Sequence, residues 1–159
     1  MPTEDRILRR QLIPFLRGQG AHVDFASAVK DFPAEQSGTR PKGCPHSAWQ
    51  LVQHIRLALH DLLEFCTNPN YTAPNWPDDY WPKDPAPPGK QSWPEAVAAV
   101  QQDIQAFEHL IGDPASNLYA EIPWGDGQNL LREALLAGDH TSYHTGQIVL
   151  VRQLLGIWK

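Results

Sequence analysis

Asp139-His140-Thr141-Ser142-Tyr143-His144-Thr145-Gly146-Gln147 lies inside a long C-terminal run that reads as one helix, from a cap at Asn129 to about Leu155 and a stop at Gly156. Two histidines stand four apart in it. On a helix that spacing turns a side chain by only about 40° and raises it by about 6 Å, so both imidazoles lean to one side and one divalent ion can touch both. Such pairs also occur on ordinary helix surfaces, and this one gains meaning only with a partner. Gly138 and Gly146 bracket it. Each weakens a helix by roughly 1 kcal/mol relative to alanine, which a close approach of neighbouring backbone or of a ligand would explain.

The partner is His54, in Gln50-Leu51-Val52-Gln53-His54-Ile55-Arg56-Leu57-Ala58-Leu59. Ser47-Ala48-Trp49-Gln50 opens this helix as a capping box, in which the Ser hydroxyl and the Gln side chain satisfy each other's backbone amides. The helix runs to about Cys66, with Leu51, Ile55, Ala58, Leu59, Leu62 and Phe65 on its apolar stripe. His54 sits at the edge of that stripe, where a core-facing imidazole needs a partner, whereas His60 reads as surface. Three imidazoles from two helices leave one or more coordination positions open, as in catalytic rather than structural zinc sites. Imidazole suits zinc, nickel, copper or iron, so the residues alone do not name the metal.

Thr3 to about Leu16 reads as a first helix, with Thr3 as N-cap, Glu4 and Asp5 in the first turn and Pro14 bending or shortening it. Arg6, Arg9 and Arg10 read as a solvated face. Asp24 to about Asp31 is a short helical piece, and His22 before it is either a turn residue or one that reaches a pocket. A connection follows from Pro33 to His46. Its Cys44 and His46 lack the further ligands that a metal site would need.

Residues 68–91 form a proline-rich connection carrying Tyr71, Trp76, Tyr80 and Trp81. Loops this long are functional or disordered, and four large aromatics argue against disorder. A strap packed across the bundle is the simplest reading; a pocket wall or a dimer contact is the sharper one. Ser92-Trp93-Pro94-Glu95 reads as a second capping box, ahead of a helix with Val97, Val100, Ile104, Phe107 and Ile111 on its seam and a stop at Gly112 and Pro114. His109 falls off that seam. The connection from Asp113 to Gln128 contains Ile122-Pro123-Trp124-Gly125-Asp126-Gly127, a tight turn rather than a phosphate loop, since no Lys-Ser or Lys-Thr follows and no strand precedes it.

At 159 residues the chain reads as a single domain, 1–159, able to bury roughly two thirds of its unfolded surface. A net charge of −5 with scattered Lys and Arg disfavours nucleic acid, whose binding needs a basic face. No run of eighteen apolar residues spans a membrane, and the charged first thirty residues carry no targeting core, so the expectation is a soluble, cytoplasmic protein with Cys44 and Cys66 reduced. Long amphipathic helices without alternating strand patterns predict an all-α bundle of four main helices, its two long connections permitting crossovers.

Pro45-His46-Ser47-Ala48-Trp49-Gln50-Leu51-Val52-Gln53-His54-Ile55, together with Gly125-Asp126-Gly127-Gln128 leading into Asp139-His140 and Tyr143-His144-Thr145-Gly146-Gln147, resembles the ligand motifs of the DinB-like (YfiT-like) superfamily of bacterial four-helix bundles. The resemblance covers essentially the whole chain. It implies an open three-histidine site at His54, His140 and His144 for nickel or zinc, and frequent homodimerisation. It does not settle a reaction: characterised relatives include thiol-dependent transferases and isomerases, and many members are called metal-dependent hydrolases.

Candidates for acid–base or supporting work are Glu133, seven before His140, Gln147, three after His144, and Tyr143, with His22 from the junction and Asp139 as a weaker flank. Glu133 could equally be a surface ion pair and Tyr143 a packing residue. Two functional classes follow. One is a metal-dependent hydrolase or low-molecular-weight thiol S-transferase acting on a small molecule; the other is a non-catalytic metal-binding stress-response bundle acting as a dimer, motivated by the absence of a clear general base.

Overall fold

The capping box that starts the histidine-bearing helix forms: the Gln50 amide donates to Ser47 Oγ and the Ser47 amide to Gln50 Oε1, each at 3.2 Å. It opens α3, Ala48–Thr67. The computed structural model describes residues 2–158. Around α3 stand α1, Thr3–Leu16, α4, Ser92–Gly112, and α5, Leu130–Leu154, with the single-turn α2, Phe25–Val29, between the first two main helices. Regular structure among the described residues is helical, with an isolated bridge between Glu121 and Asn129. Among the described residues no helix is long and apolar enough to cross a membrane.

Both α1 and α3 pack against α4 and α5, so the order around the bundle is α1, α4, α3, α5. Leu12 and Leu16 of α1, Ile55 and Leu59 of α3, Phe107 and Ile111 of α4 and Ile148 of α5 meet in one core. Asn129 caps α5 by accepting the Arg132 amide at 3.0 Å, and Asp24 caps α2 by accepting that of Ser27 at 2.7 Å. Two expected caps do not form. Thr3 and Ser92 are the first residues inside their helices, and neither helix start has a side-chain cap bond. Pro14 does not cut α1 short, because a ring this close to the helix end removes one amide bond of the last turns and no more.

The arginine reading fails at one position. Arg9 is buried and spends its guanidinium on three carbonyls at the end of α4, those of Ile111, Asp113 at 2.9 Å and Ser116 at 2.6 Å, while Asp5 Oδ2 takes its Nε at 2.9 Å. Helix C-termini leave carbonyls without partners, and a guanidinium offers five fixed donors to meet them. The two glycines of α5 also part company. A Cβ at Gly138 would collide with the Phe15 ring, whereas one at Gly146 would meet nothing within 4 Å. The close approach by neighbouring chain is therefore real at Gly138, from a side chain, and no neighbouring protein atom makes one at Gly146.

Candidate metal centre

His54 faces α5 from the middle of α3 and is only 2 % exposed. His144 is buried as well, and His140 is half-buried. The three rings come together, with centroids 4.8 Å apart for His54 and His140 and 4.5 Å for each of the other two pairs. One ring nitrogen from each lies within 4.8 Å of the others, and this three-histidine group holds no carboxylate or thiol.

Hydrogen bonds fix two of the three tautomers. The Tyr80 carbonyl, 2.9 Å from His54 Nδ1, can only accept, so Nδ1 carries the proton and Nε2 keeps its lone pair. Gln147 Oε1 does the same for His144 Nδ1 at 2.7 Å. His140 Nε2 faces His54 Nε2 at 3.0 Å, and His140 Nδ1 is buried without a partner. Outer hydrogen bonds of this kind orient imidazoles for a metal. The donor set fits a divalent ion: three imidazoles, two of which keep the Nε2 lone pair free, gathered where protons are disfavoured. Burial pushes His54 from its ordinary 6.5 to about 4, against the Tyr80 bond and helped by charge on His144 and His46. It pushes His140 to about 4 as well, helped by His144 and His54. His144 is lowered chiefly by burial, with the Gln147 bond opposing.

The connection 68–91 supplies what the helices do not. Tyr71 and Tyr80 donate their hydroxyls to the two oxygens of Asp61, at 2.8 and 2.6 Å. Ser47 Oγ donates to the Pro85 carbonyl at 2.5 Å and Gln50 Nε2 to that of Pro82 at 3.0 Å. So pinned, the segment is both a strap and a wall. Trp81 lies flat on His54, centroids 3.8 Å apart and planes 9° apart, and its other face carries His46 at 4.0 Å. Replacing Asp61 with alanine strands two tyrosine hydroxyls. A loss of about 2 kcal/mol is expected, read as a lower denaturant midpoint with shifted tryptophan emission; an unchanged midpoint would show that the strap is held elsewhere.

Of the other candidates, Gln147 and Tyr143 stand beside the cluster and the rest do not. Gln147 orients His144. Tyr143 is exposed, its ring edge-on to His144 at 4.9 Å. Glu133 is buried rather than on the surface, and Arg132 reaches it at 2.5 Å. Its charge acts on Cys66, helping burial raise that thiol to about 12, and is not among the charges acting on the three histidines. His22 is exposed beside the Val23 carbonyl and outside the cluster. Asp139 is exposed too. Tyr80 and Trp81 realise the pocket-wall reading of the strap, His46 stacks on Trp81 and is not one of the three clustered histidines, and Asp61, which carries no signal in the sequence, anchors the strap. Gln147→Ala is expected to weaken metal binding about 10- to 100-fold, measured by competition with a coloured chelator, and an affinity equal to wild type would remove its supporting role.

A family model, that of the DinB superfamily, matches residues 19–148. No curated protein and no solved structure matches the chain.

Proposed function

The chain belongs to the DinB superfamily, and on that premise we propose that His54, His140 and His144 hold one divalent ion, nickel or zinc, and leave part of its coordination open to a small-molecule substrate. The observation that carries this is the convergence of three ring nitrogens within 4.8 Å on the inside of the bundle. A bound ion would lower the pKa of a coordinated water or thiol towards neutrality. The Tyr80 carbonyl and Gln147 orient the rings, and Trp81 closes one face of His54 against water.

The cluster contains no carboxylate to act as a base. That supports transfer of a low-molecular-weight thiol over hydrolysis, because a thiol bound to an ion is deprotonated outright whereas hydrolysis profits from a base beside the water. The same observation supports a second reading, a non-catalytic metal-binding bundle of a stress response. In that second reading the exposed Leu135, Leu136, Leu150 and Leu154 on α5 support a homodimer, whose face would take in Tyr143 at the same helical spacing.

Turnover of thiol-conjugation, ester and amide substrates with zinc, nickel or manganese separates the two. Thiol conjugation that disappears in His54→Ala is the expected result. Activity unaffected by that substitution removes the catalytic reading, and absence of turnover in metal-loaded protein leaves the second.

A further inference from the structure

Among the described residues the two most exposed large apolar side chains are Trp76, at 69 %, and Tyr143, at 65 %. They come from different segments, the strap and α5, yet both stand at the histidine cluster. The Trp76 ring centroid is 6.4 Å from that of His54, and Tyr143 is 4.9 Å from His144. Neither ring hangs on loose chain. Trp76 packs on Tyr80 at 5.1 Å, and Tyr80 is tied to Asp61. One residue before Trp76, Asn75 gives its amide and its side chain to Asp79 Oδ2, at 2.7 and 3.1 Å. Tyr143 rides on a helix of 25 residues. Bare aromatic faces held this firmly are costly in water and suit a flat apolar partner, since ring pairs gain from offset or edge-to-face contact beyond simple burial.

The donor set adds a second constraint. Three neutral imidazoles leave the charge of a divalent ion without compensation, and no Asp or Glu joins the group. A ligand that brings its own negative charge to the ion therefore completes the site electrically.

We propose that the site takes a small molecule with an anionic oxygen or sulfur head and a flat aromatic body, the ring resting against Trp76 and Tyr143 while the head meets the ion held by His54, His140 and His144. This assignment rests on the metal-binding reading above and specifies the substrate class for it.

Two hydroxamates that share a head and differ in body, benzohydroxamate and acetohydroxamate, test it on zinc-loaded protein. The readouts are quenching of tryptophan emission and calorimetry, with zinc content measured in every sample before and after titration. The aryl compound should bind about tenfold more tightly. In the double variant Trp76→Ala, Tyr143→Ala, with both residues on the surface, the preference should fall to within about twofold while zinc content and acetohydroxamate affinity stay as in wild type. Equal affinities in wild type, or a preference that survives the double variant, would overturn the assignment while leaving the metal site in place. Failure of wild type to hold zinc would instead overturn the metal-binding reading and this assignment with it. If a second copy of the chain covers the two rings, the variants will change the oligomeric state with no change in preference, and the assignment falls.

Discussion

His144→Ala should leave the protein, purified without a metal-affinity resin, with essentially no bound metal, where wild type carries about one ion per chain. In the proposed centre, removing one of three donors would take away a direct bond to the ion and also the one imidazole whose orientation Gln147 fixes. Loss of an outer hydrogen bond alone typically weakens a site 10- to 100-fold, so loss of the ligand should exceed about 100-fold. His22→Ala is the matched control, because that ring is exposed and outside the cluster. Elemental analysis of the three proteins side by side decides the matter. Equal metal in wild type and His144→Ala would refute the assignment of the centre.

The metal-free protein should lose stability steeply in mild acid. Unfolded histidines titrate near 6.5, whereas His54 and His140 in the folded chain titrate near 4. Between those values the unfolded state binds more protons, so folding stability falls as pH drops through 6.5 and the loss is complete by about 4. A depression of this size in one histidine amounts to about 3 kcal/mol, a large share of an ordinary domain's 5–15 kcal/mol. His144, lowered in the same direction, adds to it. A bound ion competes with protons for the same lone pairs, so loaded protein should hold its stability to lower pH. Urea denaturation of chelator-treated protein from pH 7.5 to 4.5 measures the slope; a flat profile would mean that the three rings are not held neutral inside the fold.

How far the sequence reaches can be judged helix by helix. Ser47 with Gln50, and Asn129 ahead of Leu130, are start signals whose chemistry is local, and both act as written. Ser92, with Glu95 three residues on, carries the same kind of signal but sits inside its helix, and the cap position falls to Gln91, which makes no side-chain cap bond. Helix type follows from periodicity; the first residue depends on a single backbone angle that the letters do not report. The burial of Arg9 is a long-range matter of the same kind. Its three carbonyl partners lie more than a hundred residues away, and in its own helix it looks like any other arginine beside Arg6 and Arg10.

Proximity of the three histidines was legible because two lie one turn apart and the third sits at the edge of an apolar stripe. What orients them was not. The bond to His54 comes from a backbone carbonyl, which every residue has, and Tyr80 is placed there by its own hydroxyl on Asp61 and by the fastening of the strap to Ser47 and Gln50. Glu133 shows the reverse error. Helix spacing put it on the histidine face, but two turns is about 10 Å along the axis, far enough for its charge to act on Cys66 and Tyr71 instead.

The stretch matched by the superfamily, 19–148, is narrower than the packed core, which draws on residues at both of its flanks. Outside it lie Leu12 and Leu16 of the core and Arg9, which closes the end of α4. Beyond its other limit lies Arg152, whose guanidinium takes up the Ala28 and Lys30 carbonyls behind α2 at 2.7 and 2.9 Å. A fragment trimmed to the matched borders would strip both arginine clasps and bare the groove between α4 and α5 in which α1 lies. Shortened versions made for crystallisation or for grafting the histidine site elsewhere therefore have to keep both flanks.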